Sequence, residues 1–250
     1  MNEKFSPLQA VLALLLPERC RVCHQPSATA LCPDCLAAVT YCGDENEEDE
    51  PPCRSLCLYQ QPVSGLIHRL KYGADCTVLP ALAEIVSQCR PALDDNCDLI
   101  IPVPLHASRL RRRGLNQSQV LARMFFPRRQ PAIRCDLLIR HHPTEPQTGL
   151  SGAARRQNLN GAFSLTAASG IIAGKRLILV DDVRTTGTTL AECARTLMAD
   201  GAASVFCLTM ARADLHPVSP LPKKLHDYSS ISLISPRFSV NRKYLASNFD

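Results

Sequence analysis

At 250 residues the chain is long enough for one sizeable core with a small appendage. A composition of 46% hydrophobic and 20% charged residues is that of a globular protein, not a disordered or fibrous one. The net charge of +5 is too modest to announce a polyanionic partner, the one basic block being RLRRRG at 109–114. Thirteen cysteines, an odd number with six of them single and scattered after residue 58, argue against a secreted disulfide framework.

The chain opens with VLALLLP behind Lys4, which reads as a short packed helix. A signal peptide is the alternative, but no small-x-small cleavage site follows. No stretch approaches the ~20 apolar residues of a membrane helix, so a cytoplasmic protein without a membrane span is expected. CRVC and CPDC then place Cys20, Cys23, Cys32 and Cys35 as two C-x2-C knuckles. Converging thiolates of this spacing are expected to hold a structural Zn²⁺. Cys42, Cys53 and Cys57 are alternative ligands. The acidic stretch GDENEEDEPP reads as a solvated surface connector that closes a cysteine-rich module over residues 1–60.

From 61 to 212 helical and strand periods alternate. VSGLIHRLKY and VLPALAEIVSQC have helical spacing, and CDLIIPVP is a short apolar run suited to a strand covered on both faces. NQSQVLARMF returns to helix, and KRLILVDD is a second buried strand, ending at Val180. TTLAECARTLMADG is a helix stopped by glycine, and ASVFCLTMAR is a third strand. This alternation predicts an α/β fold with a parallel sheet flanked by helices. Cys76, Cys89, Cys97, Cys135, Cys193 and Cys207 fall within these patterns as small buried hydrophobes. Residues 213–250 have no sustained period and are expected to be a disordered tail.

The stretch ILVDDVRTTGTTL carries the chemistry. In a parallel sheet, ligands bind beyond the carboxyl ends of the strands, where a turn enters the next helix. Backbone N–H groups there favour an anion, Gly187 permits close approach, and Thr185, Thr186, Thr188 and Thr189 can donate hydroxyl hydrogen bonds. No GK[ST] lysine is present, so one phosphate suits the turn better than a chain of them. Asp181 and Asp182 cannot bind phosphate, but they can accept from sugar hydroxyls or hold Mg²⁺ through its waters. A capped helix start would explain one acid and one threonine, and a response-regulator pocket would leave the threonines without a role.

This stretch resembles the phosphoribosyl pyrophosphate motif of type I phosphoribosyltransferases. The resemblance implies that Asp181 and Asp182 face the ribose hydroxyls, while Val183, Arg184, Thr185, Thr186, Gly187, Thr188 and Thr189 wrap the 5-phosphate. IPVPLHASRLRRRGLNQSQVLA is similar to the ComF/GntX family (competence protein F-like), with Leu115 where phenylalanine is usual. YQQPVSGLIHRLKY resembles the entry helix of that family, with Lys71 at its usual lysine. Spaced residues Thr144, Gln147, Leu150, Arg156, Asn158 and Phe163 fit the same family.

The resemblance implies a type I phosphoribosyltransferase-like domain over 61–212. Val103, Pro104, Leu105 and His106 then end a strand where such enzymes place a pyrophosphate loop. Arg109, Arg113, Gly114, Asn116 and Gln117 follow closely, Arg113 at a shaped turn and Arg111 on a solvated face. The segment from His141 to Asn158, with Thr144, Gln147, Arg156 and Asn158, is either a closing loop or an ordinary surface loop. Phosphoribosyl pyrophosphate with Mg²⁺ would be the ligand of a pentosyl-transferring enzyme whose acceptor is not legible. The alternative is a single-stranded DNA-handling protein that uses the pocket for sensing, in keeping with the role of the family in DNA uptake. DNA-uptake proteins and single-stranded DNA are then the expected partners.

Overall fold

The computed structural model describes residues 18–43, 51–89, 97–141, 161–166 and 169–213. Its centre is a four-stranded parallel sheet of β1 (Cys53–Leu58), β2 (Leu99–Pro102), β5 (Arg176–Arg184) and β6 (Ser204–Arg212), in the order β1-β6-β5-β2. Two short strands, β3 (Leu138–Arg140) and β4 (Phe163–Leu165), form a separate antiparallel pair. The helices are α1 (Pro33–Ala37), α2 (Val63–Tyr72), α3 (Leu79–Cys89), α4 (Ala107–Arg113), α5 (Gln117–Phe125) and α6 (Thr188–Ala199).

The central strands read as continuous apolar runs because each face of the sheet has its own cover. On one face Leu66, Ile67 and Leu70 of α2, Leu82 and Ile85 of α3, and Leu121 and Phe125 of α5 pack against Ile178, Val180, Leu208 and Met210. On the other, Leu190, Cys193 and Leu197 of α6, with Leu138 and Phe163, pack against Leu177, Leu179 and Val205. Each fully buried Leu or Ile contributes about 1.5–3 kcal/mol relative to exposure. Cys20, Leu31, Cys32 and Val39 join the first of these cores, so the cysteine-rich segment packs directly on the sheet's helical cover.

The expected parallel α/β architecture is met, with four differences in detail. Residues 53–58 form an edge strand of the main sheet, ahead of the expected boundary near residue 60. Its pattern was masked by Arg54 and Ser55; Ser55 is buried and bonds Thr209 across the strand pair at 2.7 Å. Strand β5 does not end at Val180 but continues to Arg184, because Asp181, Val183 and Arg184 stay in register with Thr209, Ala211 and Arg212. The antiparallel pair of β3 and β4 was not legible, since three residues are too few to establish a period. Cys76 and Cys135 are exposed, not buried as small hydrophobes. Residues 1–17, the acidic stretch 44–50, the segment 142–160 with Thr144, Gln147, Arg156 and Asn158, and residues 214–250 lie outside the described residues. Among the described residues no helix is long and apolar enough to cross a membrane.

Candidate functional site

The carboxyl ends of β2 and β5, the start of α6 and the turn between α4 and α5 meet at one end of the sheet. Strand alternation sends Asp181 and Asp182 to opposite faces. Asp181 follows Leu177 and Leu179 toward the α6 side, and Asp182 follows Ile178 and Val180 toward α2. Ser118 Oγ donates to Asp181 Oδ1 at 2.8 Å, as does the backbone N–H of Asp182. Burial and the neighbouring Asp182 carboxylate push the Asp181 carboxyl up to about 6, against the pull of Ser118 and Lys71. Asp182 is only 8% exposed, and its Oδ1 lies 2.9 Å from Lys71 Nζ.

Val183 and Arg184 continue the strand, and the turn proper is Thr185 to Gly187. Gly187 has φ +73 and opens α6, with no side chain capping the helix start. That backbone conformation is unfavourable for any residue with a Cβ. Thr185 and Thr186 are exposed, while Thr188 and Thr189 are half-buried. The Thr186 and Thr188 hydroxyls lie 2.8 Å apart. An uncapped helix of 12 residues with hydroxyls around its first turn is suited to one anion.

The second wall comes from β2. The Val103 N–H donates to Val180 O at 2.8 Å, which ties the end of β2 to β5. Pro104 and Leu105 lead to His106, whose Nδ1 accepts from Ser108 N–H and caps α4. Gly114 ends α4 at φ +73, and Asn116 caps α5 while its Nδ2 donates to Val103 O at 3.1 Å. Arg113 donates to Gln117 Oε1 at 3.2 Å and lies 5.3 Å over the Tyr72 ring. Gln117 is buried and reaches Leu70 O. Arg111 and Arg112 are exposed, in keeping with a solvated face for Arg111.

Two residues gained a place only in three dimensions. Arg140, at the end of β3, is 9% exposed with its guanidinium 5.3 Å over the Phe163 ring. Burial and the nearby cation of Arg109 hold it below the usual arginine range; Cys193 and Asp181 oppose that shift, and Arg113 adds to it. Arg109 and Arg113 of α4 and Arg140 of β3 therefore converge from two elements beside Asp181, a concentration of cations suited to a polyanion. In sequence Arg140 is one arginine after an apolar run. Lys71 was visible only as a residue shared with other chains, and its ion pair with Asp182 was not legible.

The thiols of Cys20, Cys23, Cys32 and Cys35 lie within 4.8 Å of one another. Cys23 Sγ and Cys32 Sγ are 3.6 Å apart, close to the ~3.8 Å separation that ~2.3 Å Zn–S bonds give in a tetrahedron. Burial opposes ionisation of Cys20, yet backbone N–H groups of Cys23, Cys32 and Val22 outweigh it and bring that thiol down to about 6. The four residues thus fit a divalent metal with thiolate preference. Cys42, Cys53 and Cys57 lie outside this group. Cys53 is buried in β1 opposite Cys207, and Cys57 is buried in the core beneath α2 and α3. The cluster is tied to the helices: Leu31 N–H donates to Glu84 Oε2 at 3.0 Å, and Arg69 donates to Arg21 O.

An acid pair on a parallel strand, followed by a threonine–glycine turn into a helix, defines a phosphoribosyltransferase-type protein, and residues 82–245 match the phosphoribosyl transferase domain family. The chain belongs to that family, in the branch that contains the competence protein F and DNA utilization proteins. It is 34% identical over 204 residues to DNA utilization protein YhgH of Escherichia coli O157:H7, covering 76% of this chain and 88% of that one. Competence protein F of Haemophilus influenzae is 35% identical over 160 residues, covering 62% of this chain and 70% of that one. Competence protein ComFC of Bacillus subtilis is 29% identical over 198 residues, 78% of each. Among solved structures, a glutamine phosphoribosylpyrophosphate amidotransferase from B. subtilis aligns with 21% identity and a TM-score of 0.37, over 56% of this chain and 28% of that one.

Proposed function

We propose that the strand-end site binds 5-phosphoribosyl 1-pyrophosphate with Mg²⁺ and that the protein transfers the phosphoribosyl group to an acceptor. The observation that carries this reading is the placement of Asp181 and the uncapped start of α6 at one end of the sheet. In this reading the α6 turn from Thr185 to Thr189 takes the 5-phosphate, and Asp181 and Asp182 take the ribose hydroxyls. Arg109, Arg113 and Arg140 face the pyrophosphate and stabilise it as it leaves the anomeric carbon. Mg²⁺, when bound, would neutralise further charge on the leaving group. Asp181 and Asp182 offer the hard oxygen donors Mg²⁺ prefers, with one oxygen of Asp182 already engaged by Lys71. Zn²⁺ in the Cys20, Cys23, Cys32 and Cys35 cluster is structural, since all four positions are protein thiolates and no open position remains for chemistry.

Calorimetry tests this directly. Wild-type protein should bind the sugar pyrophosphate in the presence of Mg²⁺, and Asp181→Asn with Asp182→Asn should abolish the heat. Retained binding in that double variant refutes the site. Pyrophosphate release in a panel of nucleobases then identifies the acceptor.

A second reading is single-stranded DNA handling, with the pocket used as a sensor. Tyr72, 65% exposed, carries the Arg113 guanidinium over its ring and lies tilted against His68 at 4.7 Å, and α4 also exposes Arg111 and Arg112, which gives cationic and aromatic groups suited to a single strand. The names of its relatives, DNA utilization protein and competence protein, favour it. A gel shift with single-stranded DNA that fails even at low salt removes it.

A further inference from the structure

Two adjacent carboxylates at the end of one strand carry two negative charges into a half-buried place. Such a pair needs a countercharge, because like charges in a poorly solvated site hold one another's ionisation back. A divalent cation is the common solution in sites that handle phosphate. Here a cation of the chain itself is in place. Lys71 Nζ lies 2.9 Å from Asp182 Oδ1, and the two side chains are only 17% and 11% exposed.

The lysine is held there from both sides along its helix. Residues Val63, Leu66, Ile67 and Leu70 bury the apolar face of α2 against the sheet. Leu70 O accepts from Gln117 Nε2, and the following Tyr72 ring carries the Arg113 guanidinium. Asp181 and Tyr59 act on the ammonium from farther off, through charge alone. Burial works against its charge, and the two aspartates outweigh that penalty. A buried ion pair is a poor source of stability compared with apolar side chains of the same volume. Its position at the ligand end of the sheet, on one of the two acids of the motif, therefore calls for a role in the site.

We propose that Lys71 is the resident cation of the acid pair: it takes the edge of Asp182 that a divalent ion would otherwise fill and positions that carboxylate as an acceptor for a sugar hydroxyl. This inference rests on the phosphoribosyl reading of the site for the identity of the sugar. It follows that the empty acid pair has little affinity for a divalent ion, which reaches the site with the pyrophosphate. Lys71 is thus a positioning residue that acts through Asp182.

The test uses Mn²⁺ alone, followed by electron paramagnetic resonance on the full-length zinc-bound protein. Wild type should bind no Mn²⁺ at the acid pair up to about 1 mM, a range in which weak carboxylate sites fill. Lys71→Met, which keeps the length of the side chain and removes its charge, should gain one Mn²⁺ site. Lys71→Met with Asp182→Asn should lose that site again. In calorimetry Lys71→Met should weaken sugar pyrophosphate binding by about tenfold or more, and Lys71→Arg should restore part of it, as expected for a charge-assisted contact. No Mn²⁺ site in a folded Lys71→Met overturns the proposal. Should Lys71→Met fail to fold, wild type decides: Mn²⁺ bound tightly there and lost in Asp182→Asn overturns it, and no such site supports it. If wild type binds no sugar pyrophosphate at all, the phosphoribosyl reading fails while the Mn²⁺ result still decides the role of Lys71.

Discussion

Replacing Asp181 by Asn should make this protein more stable at neutral pH while removing its ligand site. The Asp181 carboxyl sits at about 6 against an ordinary value of 3.8, through burial first and the Asp182 charge second. Between those two values the folded chain keeps a proton that the unfolded chain has released. Stability therefore falls as pH rises from about 4 to about 6, and the whole penalty is present above that range. A rise of about two pH units at 1.36 kcal/mol each amounts to about 3 kcal/mol, an upper figure for one carboxylate. Asparagine keeps an oxygen that can accept from Ser118 Oγ and from the Asp182 N–H, so the two bonds at 2.8 Å survive the change. Lys71 and Asp182 then balance one another without a third charge. Urea titrations at pH 5 and pH 8, read by circular dichroism, measure the difference. The gain of Asp181→Asn over wild type should reach up to about 3 kcal/mol at pH 8 and be only about half as large at pH 5, midway through the titration. Comparing the two proteins at each pH cancels any acid release of zinc, which affects both equally. A variant no more stable than wild type at pH 8 would refute the argument that this carboxylate is held against its preference.

Zinc analysis of purified protein should find about one ion per chain, and Cys20→Ser should remove most of it and lower the melting temperature, since structural zinc supplies roughly 10–16 kcal/mol of apparent binding energy. Cys53→Ser should leave the zinc content unchanged, and the opposite pattern would move the site to the alternative cysteines. Arg140→Gln should weaken sugar pyrophosphate binding by about tenfold or more, with Arg140→Lys intermediate, as expected for loss of a forked charge-assisted contact. The same change should not lower the melting temperature much, because it relieves repulsion from Arg109 and Arg113. Unchanged affinity by calorimetry would remove Arg140 from the anion side.

Gly187 shows how a local pattern and the fold agree. The letters TTGTT before an amphipathic run mark a turn into a helix, and the structure puts Gly187 at φ +73 immediately before α6. The two C-x2-C pairs are similarly local, and their four thiols converge within 4.8 Å. What lies along one stretch of chain was legible because turn chemistry, helix starts and short-range spacing act between near neighbours.

The strand β1 escaped notice because its membership depends on a partner, β6, some 150 residues away, and because buried Ser55 finds its bond on Thr209. Strand β5 runs past two charged residues for the same reason: β6 continues to supply backbone partners through Arg212. The sequence alone determined the parallel α/β class, the turn that favours an anion and the paired knuckles, because each follows from periodicity or spacing. The tertiary structure decided how the acids are used. The alternation of β5 sends them to opposite faces, where one meets Ser118 and the other meets Lys71. It also brought Arg140 to Arg109 and Arg113. Charges separated by tens of residues interact only once packing has removed the water and the distance between them, and no local pattern records that.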